Sequence, residues 1–415
     1  MENLDISRRA LLKGGSAAFA GLTMLQVAGP TQAFGQSGEE VIPWLDQPPP
    51  PVFPPAIVGN LLVWEALDST ITPASDFFYV RHYGQPEGLD DSTWHVNIEG
   101  LVARPQSLTI ADLQARERRE VDFTLECSGN NGFPWLIGAV GNARWGGTPL
   151  APILEEAGVL EQGIEVVFYG IDRGTVTIRD NSGILSGGQT GTTEPGPDGN
   201  LDLTITEQFA RSMSVAEALS RDNLLCYEMN GEPLPPEHGF PVRLIAPGWY
   251  GVANVKWLTR IEVRNQRWAG RFMARDYVTI REEQHDGQTA WTFANVRHER
   301  LKSAPAKVTR RNNHYAVMGA AWGAPIAAVE VQIDDGPWMA TRLRSPASRE
   351  RKMRDYSWVF WHFDWRMPAS GEHAIRSRAF DIDGNVQPAP DDPYLRSKRT
   401  YWESNGQITR RVLLK

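Results

Sequence analysis

The sequence predicts an α+β domain with mixed sheets followed by a C-terminal β-sandwich, and three observations support this prediction. Between residues 61 and 283, short runs rich in β-branched and aromatic residues alternate with short helical segments such as Leu150–Ala157. Beyond residue 311, strand-like runs such as Tyr356–Trp361 are separated by turns rich in Asp and Gly, a pattern typical of a sandwich. Glycine and proline account for 38 and 29 of the 415 residues, which favours turns and short strands over long helices.

Residues 1–36 are predicted to be an export signal that is not part of the fold. Arg8 and Arg9 precede a short run of small and apolar residues from Gly14 to Gly29, as in a signal peptide. The paired arginines indicate the twin-arginine route, which exports folded proteins. The alternative is a membrane anchor, but a span needs about 20 apolar residues, and this run is short and rich in glycine and alanine. We therefore expect a periplasmic protein without a membrane span in its mature form.

The rest of the chain is predicted to form two domains, residues 37–300 and 301–415. A basic stretch over residues 297–311 has no clear periodicity and separates the two halves. The first domain opens with a proline-rich arm that runs to Pro55. This arm should be extended, because proline is excluded from helix interiors and central strands. Ser186–Asn200 is rich in Gly, Thr and Pro, and we interpret it as a surface loop or lid.

Charge and motif content exclude several classes of protein. The net charge of −8 gives no sign of nucleic-acid binding, which requires a strongly basic face, and it suits a basic protein partner. The sequence has no Gly-x-Gly-x-x-Gly that opens a helix, no Walker loop, no Cys-x-x-Cys-His and no cysteine cluster. We therefore expect neither haem nor flavin.

The two cysteines lie in different contexts. Cys226 follows two leucines in an apolar, strand-like run, where a buried inert thiol is the usual state. Cys127 opens a glycine-bearing turn directly after the strand-like run Val121–Leu125, a place typical of a ligand or a nucleophile. A disulfide between the two cysteines is the alternative, since an exported protein can form one.

One long segment resembles a known family. Residues 227–258, YEMNGEPLPPEHGFPVRLIAPGWYGVANVKWL, resemble the molybdopterin-binding stretch of the sulfite oxidase family. Three shorter motifs occur in that family's order: ECSGN at 126–130, RWGGTPL at 144–150 and RDY at 275–277. The second half, with DIDGNVQP at 381–388, is similar to the family's immunoglobulin-like dimerisation domain. The resemblance implies a molybdopterin-binding catalytic domain with the sulfite oxidase fold, a C-terminal immunoglobulin-like β-sandwich and a homodimer.

The resemblance also implies the site residues. Each chain would hold one molybdenum–molybdopterin, with the Cys127 thiolate as a ligand of the metal beside the two dithiolene sulfurs. Arg81 would bind the substrate oxyanion, and the Tyr277 phenol would hydrogen-bond the substrate or the metal centre. The residues implied to bind the cofactor are His82, Asp172, His238, Arg243, Asn254 and Lys256. Ordinary structural roles are the alternative for several of them, above all for Asp172 and His238, which lie in turns.

Two departures from the family pattern bear on the substrate. The family's Arg-Asn-His triplet is Arg81-His82-Tyr83 here, so the pterin histidine is either His82, shifted by one position, or missing. Asn131 and Gly132 stand where the vertebrate pattern has an arginine pair, which removes positive charge from the substrate pocket. This change weakens the case for sulfite and is similar to the sulfane dehydrogenase branch.

The predicted activity is the oxidation of sulfite, or a related sulfur oxyanion, to sulfate. Because no haem or flavin motif is present, the electrons would pass to a separate acceptor such as a cytochrome c. The alternatives are a sulfane dehydrogenase-like activity on another sulfur substrate, a methionine sulfoxide reductase and a non-catalytic pterin carrier.

Overall fold

A computed structural model describes residues 39–46, 58–132, 137–180, 201–312, 314–344 and 356–415. The predicted signal peptide and the loop Ser186–Asn200 lie outside these ranges. Within them, no helix has the length and apolar character that a membrane span needs.

The described chain consists mainly of strands. In chain order they are β1 (Glu40–Ile42), β2 (Val58–Gly59), β3 (Tyr79–Val80), β4 (His95–Gly100), β5 (Gln106–Thr109), β6 (Arg119–Glu126), β7 (Val140–Pro149), β8 (Glu165–Asp180), β9 (Leu201–Ser214), β10 (Leu224–Met229), β11 (Glu232–Pro233), β12 (Arg243–Ile245), β13 (Leu258–Arg264), β14 (Val278–His285), β15 (Gln288–Asn295), β16 (Lys302–Arg311), β17 (His314–Trp322), β18 (Ile326–Ile333), β19 (Met339–Ala340), β20 (Arg342–Arg344), β21 (Val359–Trp365), β22 (Gly371–Asp381) and β23 (Thr409–Leu414). The α-helices are α1 (Ile110–Gln114), α2 (Leu150–Ala157), α3 (Val215–Ala218), α4 (Arg271–Ala274) and α5 (Pro393–Arg396).

The first domain is built on two five-stranded sheets. One sheet has the order β5-β4-β13-β8-β9, and its β4–β13 pair is parallel. The other has the order β11-β10-β7-β6, with β12 also paired to β10, and every pair in it is antiparallel. The prediction of mixed sheets therefore holds for the first sheet, whereas the second departs from it because hairpins and antiparallel returns connect its strands.

Local sequence explains the helices of this domain. Leu150, Ile153, Leu154 and Ala157 recur at helical spacing on α2 and are fully buried. Gly158, with φ of 69°, ends this helix in the left-handed region that glycine adopts without steric cost. Ser214 caps α3 and forms a capping box with Glu217.

The C-terminal half is a sandwich of two antiparallel sheets, with strand orders β1-β16-β17-β21-β20 and β19-β18-β22-β23. Both sheets contribute to one core, in which Val317 and Trp361 of the first meet Ile375 and Val412 of the second. The sandwich agrees with the sequence prediction, and its immunoglobulin-like connectivity stays a prediction.

A segment near each end of the described chain packs on the domain to which the sequence did not assign it. The predicted first domain includes the start of the proline-rich arm, but β1 pairs with β16 and therefore belongs to the C-terminal sheet. Near the other end, the segment Lys398–Gly406 returns to the first domain. There the backbone N–H of Glu403 donates to the Ser128 carbonyl at 2.7 Å. The second domain thus touches the turn that Cys127 opens.

Candidate active site

A cavity that is partly open to solvent lies in the first domain. It collects side chains from distant parts of the sequence, including residues just after β3 and β6 and one within β8. The predicted site residues that line it are His82, Cys127, Asp172, His238, Arg243, Asn254, Lys256 and Tyr277. Arg81 is the predicted site residue that does not line the cavity.

The Cys127 turn is fixed by backbone hydrogen bonds. The N–H of Cys127 donates to the Ala139 carbonyl at 2.9 Å, and the N–H of Asn130 donates to the Cys127 carbonyl at 2.8 Å. Burial raises the pKa of the Cys127 thiol to about 11, against the lowering effect of the Gly129 N–H. Coordination to a metal overcomes such a shift, because a coordinating thiol loses its proton. Cys226 is buried in β10 and neither cysteine is bonded to the other, so the structure does not support the disulfide alternative.

Cations gather at one end of the cavity. Lys256 donates to the carbonyls of Val80 and Glu237 at 3.0 and 2.8 Å. Burial, Arg243 and Arg81 together lower the pKa of Lys256 well below its ordinary value, while Asp172 opposes them. Three cations so close together repel one another, and an anionic ligand between them relieves that repulsion.

The remaining polar groups at this end are Asp172 and His238. Burial raises the pKa of Asp172 to about 7, and Lys256 acts in the other direction. Burial and the charge of Arg243 lower the pKa of His238 to about 3, so its ring is neutral. His238 donates from Nε2 to the Ala74 carbonyl at 3.0 Å, which leaves Nδ1 as an acceptor. We call Asp172, His238, Arg243 and Lys256 the cofactor end of the cavity, and we include Arg81, which does not line the cavity but whose charge acts on His238 and Lys256.

Two of the predicted cofactor-binding residues, Arg243 and Asn254, already make hydrogen bonds to the protein backbone. Arg243 donates to the carbonyls of His238 and Asn254, both at 2.9 Å. Asn254 donates to the carbonyls of Trp249 and Tyr250 and accepts from the Ala246 N–H. Asn254 therefore shapes the loop that lines the cavity. Each terminal nitrogen of Arg243 gives one of its two N–H groups to these carbonyls, and its Nε–H has no partner in the described structure.

Arg81 lies with this group and not at Tyr277, where a substrate role requires it. Its guanidinium covers the Tyr79 ring at 4.0 Å and is near enough to lower the pKa of both His238 and Lys256. The reason is local. Arg81 follows β3 directly, and it is the next residue, His82, whose side chain lines the cavity.

Unpartnered buried atoms show that the cofactor end fits an anionic, hydrogen-bonding group. The Nε atoms of Arg81 and Arg243 and the Oδ1 atom of Asp172 are buried without a hydrogen-bond partner in the described structure. Buried polar atoms without partners are rare, and each costs about 1–3 kcal/mol. Two orphaned donors beside cations suit a phosphate, and an orphaned acceptor suits the amino hydrogens of a pterin. The residues present therefore fit molybdopterin.

The opposite end of the cavity is aromatic. The Tyr277 hydroxyl lies 2.7 Å from His82 Nε2, and the His82 ring packs against Phe209 and Phe272. Burial, with help from Lys256, lowers the pKa of His82 to about 3, and burial raises that of Tyr277 well above its ordinary value. Both side chains are therefore neutral at pH 7. His82 connects the two ends, because it contacts Tyr277 and is within reach of the charge of Lys256. Cys127 also helps to raise the pKa of Tyr277, so the thiol and the phenol are near each other.

The C-terminal segment completes this end with residues that the sequence did not reveal. The Trp402 ring stacks on Tyr277 at a centroid distance of 4.3 Å, and Tyr401 packs on Trp402 at 4.0 Å. A Cβ atom on Gly129 would lie 3.3 Å from the Tyr401 ring, so these rings cover the Cys127 turn. We call Cys127, Tyr277, Tyr401 and Trp402 the metal end. Local motifs carry no signal for such contacts. Arg399, in the same segment, pairs with Glu282 and not with a residue of the metal end.

The same segment explains the missing arginine pair. A Cβ atom on Gly132 would lie 2.2 Å from the carbonyl oxygen of Tyr401, which excludes any side chain at that position. The Asn131 side chain donates to the Gly406 carbonyl at 3.0 Å. Both positions thus serve the packing of the C-terminal segment on the turn.

A buried arginine near the metal end was also missed. Arg211 donates to the carbonyls of Phe272 and Val296, and its Nε has no partner in the described structure. Its charge acts on both Tyr277 and His82. Because Arg211 lies inside a strand with no motif around it, the sequence gives no sign of this placement.

Comparisons with known proteins agree with this site. Residues 82–187 and 188–272 match the oxidoreductase molybdopterin binding domain, and residues 281–403 match the Mo-co oxidoreductase dimerisation domain. Sulfite oxidase of Arabidopsis thaliana is 30% identical over 359 residues, which cover 78% of this chain and 83% of that protein. Sulfite oxidase of Gallus gallus is 29% identical over 342 residues, 77% of this chain and 68% of that one. Mitochondrial sulfite oxidase of Homo sapiens is 29% identical, and the chain spans 58% of its length.

A solved structure shares the fold. The crystal structure of the sulfane dehydrogenase SoxCD from Paracoccus pantotrophus superimposes with a TM-score of 0.68 at 24% identity, over 91% of this chain and 90% of that one. The domain matches, the relatives and the fit of the cofactor end to molybdopterin lead to one conclusion. The chain belongs to the sulfite oxidase family of molybdopterin oxidoreductases.

Proposed function

We propose that the protein is an exported molybdenum enzyme that oxidises sulfite to sulfate and passes the electrons to an external acceptor. One observation carries the proposal: in a member of this family, the Cys127 thiol lines the same cavity as two cations, Arg243 and Lys256, and the buried Nε of Arg243 has no partner in the described structure. The sulfite oxidases among its relatives support the substrate.

The net reaction converts sulfite and water into sulfate, two protons and two electrons. When bound, the molybdenum cofactor supplies the two-electron redox chemistry. A cytochrome c is the proposed acceptor, since such partners are often basic and this chain carries a net charge of −8. The proposal includes no haem or flavin in this chain.

The protein's own residues divide the remaining work. Cys127 provides the thiolate to the metal, while Arg81, Lys256 and the Arg243 Nε–H hold the phosphate of the cofactor. The Tyr277 hydroxyl, held 2.7 Å from His82, donates a hydrogen bond to the bound anion. The rings of Tyr401 and Trp402 exclude water from the turn, which strengthens electrostatic interactions there.

A steady-state assay tests the proposal. Purified protein should reduce cytochrome c when sulfite is added, at a rate that scales with the molybdenum content of the preparation. Turnover in proportion to molybdenum would rule out a non-catalytic pterin carrier. No reduction by sulfite in a fully loaded preparation would contradict the proposed substrate.

A second candidate function keeps the cofactor and changes the substrate. The packing of Gly132 and Asn131 against the C-terminal segment leaves the metal end without the arginine pair of the vertebrate pattern. An uncharged aromatic wall suits a neutral or larger sulfur compound, such as a sulfane or a sulfoxide, better than a small dianion. A higher kcat/KM with a sulfane donor than with sulfite, or reduction of methionine sulfoxide, would favour this candidate.

Export through the twin-arginine route and homodimerisation complete the proposal. Replacing Arg8 and Arg9 by lysine should leave cofactor-loaded precursor inside the cell, and normal periplasmic activity would contradict this route. The match to the dimerisation domain supports a homodimer, which light scattering of the purified protein tests.

A further inference from the structure

We propose that Lys302, in the C-terminal domain, is a positioning residue for the Cys127 turn. The sandwich domain would then set the geometry of the metal's thiolate in addition to any part in dimerisation. The inference rests on the proposed function only in that Cys127 is taken as the metal ligand.

The first step is a buried ion pair across the domain boundary. Lys302 is the first residue of β16, and its Nζ lies 2.6 Å from Oε1 of Glu126, the residue directly before Cys127. Both side chains have zero solvent exposure. Because bulk solvent does not reach either side chain, the attraction between the two charges is screened much less than it would be at the surface.

The second step connects this pair to the turn. Asn130 Nδ2 donates to the same Glu126 oxygen at 2.7 Å, and the Ala139 N–H donates to Asn130 Oδ1 at 3.1 Å. Lys302 Nζ also lies 3.4 Å from the Asn130 carbonyl oxygen. The residues on both sides of the turn, Glu126 and Asn130, are therefore held by one ammonium group.

The third step concerns what such a pair contributes. Burying two charges costs several kcal/mol of desolvation, so apolar side chains of similar volume often give equal or greater stability. What the pair adds is a fixed arrangement, because its members cannot separate without leaving a charge buried alone. A displacement of a reacting group by about 1 Å can lower a rate by about a hundredfold, so a fixed arrangement matters at a metal ligand.

The chain contains a matched control on the same strand. Lys307 is 1% exposed, and its Nζ donates to the Leu67 carbonyl at 2.7 Å, away from the cysteine turn. Lys307→Met removes the same group from the same strand as Lys302→Met. Differences between the two variants therefore report on the turn and not on the loss of a buried lysine.

The experiment compares both variants with the wild type in four readouts: melting temperature, molybdenum content, kcat and KM, and the rate at which iodoacetamide alkylates Cys127 in cofactor-free protein. Buried Cys226 serves as the internal reference for global opening. We expect the larger fall in melting temperature for Lys302→Met, because this variant leaves the Glu126 carboxylate buried without its partner. The double variant described below separates this cost from the effect on the turn. Only Lys302→Met should speed Cys127 alkylation and lower kcat, each by about tenfold, with little change in KM.

A double variant covers the case in which Lys302→Met does not fold. Glu126→Gln combined with Lys302→Met removes both charges and keeps an amide oxygen for Asn130, so it should fold and still show fast Cys127 alkylation. Wild-type alkylation in the double variant, or equal alkylation and kcat in the Lys302 and Lys307 variants, would overturn the proposal. Alkylation and molybdenum content do not depend on the substrate, so failure with sulfite alone would count only against the proposed function.

Discussion

The two ends of the cavity use opposite kinds of side chain. At the cofactor end, Arg81, Arg243 and Lys256 are crowded together, with buried donors left unpartnered. At the metal end, Tyr277 and Trp402 stack as neutral rings beside Cys127. The comparison teaches that fixed charge lies where a permanent anion binds, because only a resident ligand offsets the repulsion of buried cations throughout the life of the protein. At the metal end the rings are neutral, and the charge of the nearby Arg211 is held by the carbonyls of Phe272 and Val296.

The largest expected effect comes from removing the thiolate at the metal end. Cys127→Ser should leave a folded, pterin-loaded protein whose sulfite oxidation falls by at least about a hundredfold, because a neutral hydroxyl is a poor ligand for molybdenum. The control is Cys226→Ala, which should leave turnover nearly intact and lower only thermal stability through a small cavity. Substantial turnover by the serine variant would break the assignment of this end.

A smaller effect is expected from the cofactor end, in a different readout. Arg81→Gln should weaken retention of the cofactor by about thirtyfold, the equivalent of one charge-assisted contact of about 2 kcal/mol. The KM for sulfite of the molecules that remain loaded should stay near the wild-type value. Molybdenum and pterin analysis measures the retention of the cofactor, and kinetics normalised to molybdenum measure the KM of the loaded molecules. A raised KM with full cofactor content would contradict this expectation and would support the substrate-binding role of Arg81 that the family resemblance implied.

Tyr277→Phe tests the metal end without disturbing the cofactor end. We expect its kcat to fall by about tenfold, the cost of one hydrogen bond in the transition state. The ring that stacks on Trp402 remains, so cofactor content and melting temperature should not change. Stopped-flow reduction by sulfite measures the effect. A loss of cofactor in this variant would show that the two ends are not separate.

The smallest effect is on the pH dependence of stability in the cofactor-free protein. The pKa of His82 and that of His238 are lowered to about 3 from 6.5, so the unfolded chain binds more protons below pH 6.5. Each neutral ring thus contributes stability that is complete above pH 6.5 and is lost as the pH falls toward 3. At about pH 6 the loss is roughly 1 kcal/mol for each histidine.

Urea denaturation at several pH values measures this dependence, with His238→Gln as the comparison. The variant should lose less stability than the wild type between pH 7 and about pH 6. Asp172, with its pKa raised to about 7 from 3.8, acts with the opposite sign, since its contribution is lost as the pH rises from 3.8 to 7. An unchanged slope in the variant would show that the pKa of His238 is the same in the folded and unfolded protein.

How much the sequence predicts depends on whether the signal is local. The Cys127 turn, helix α2 and the capping box at Ser214 follow from neighbouring residues, and the long motif around His238 placed the cofactor end. Lys302, Tyr401 and Trp402 could not be predicted, because each meets the site only through packing of the second domain on the first. The segment Glu40–Ile42 was assigned to the first domain, but it pairs with β16 of the C-terminal sheet, and a contact between Glu40 and Arg310 is too distant in sequence for local signals to predict.

The central claim is that Cys127 supplies the thiolate of a molybdenum site, and X-ray absorption at the molybdenum edge tests it most directly. Spectra of wild-type protein should require one more sulfur neighbour than the two dithiolene sulfurs provide. Spectra of Cys127→Ser, loaded to the same molybdenum content, should lack that single sulfur and gain a lighter atom or a vacancy in its place. Identical sulfur coordination in the two proteins would contradict the claim.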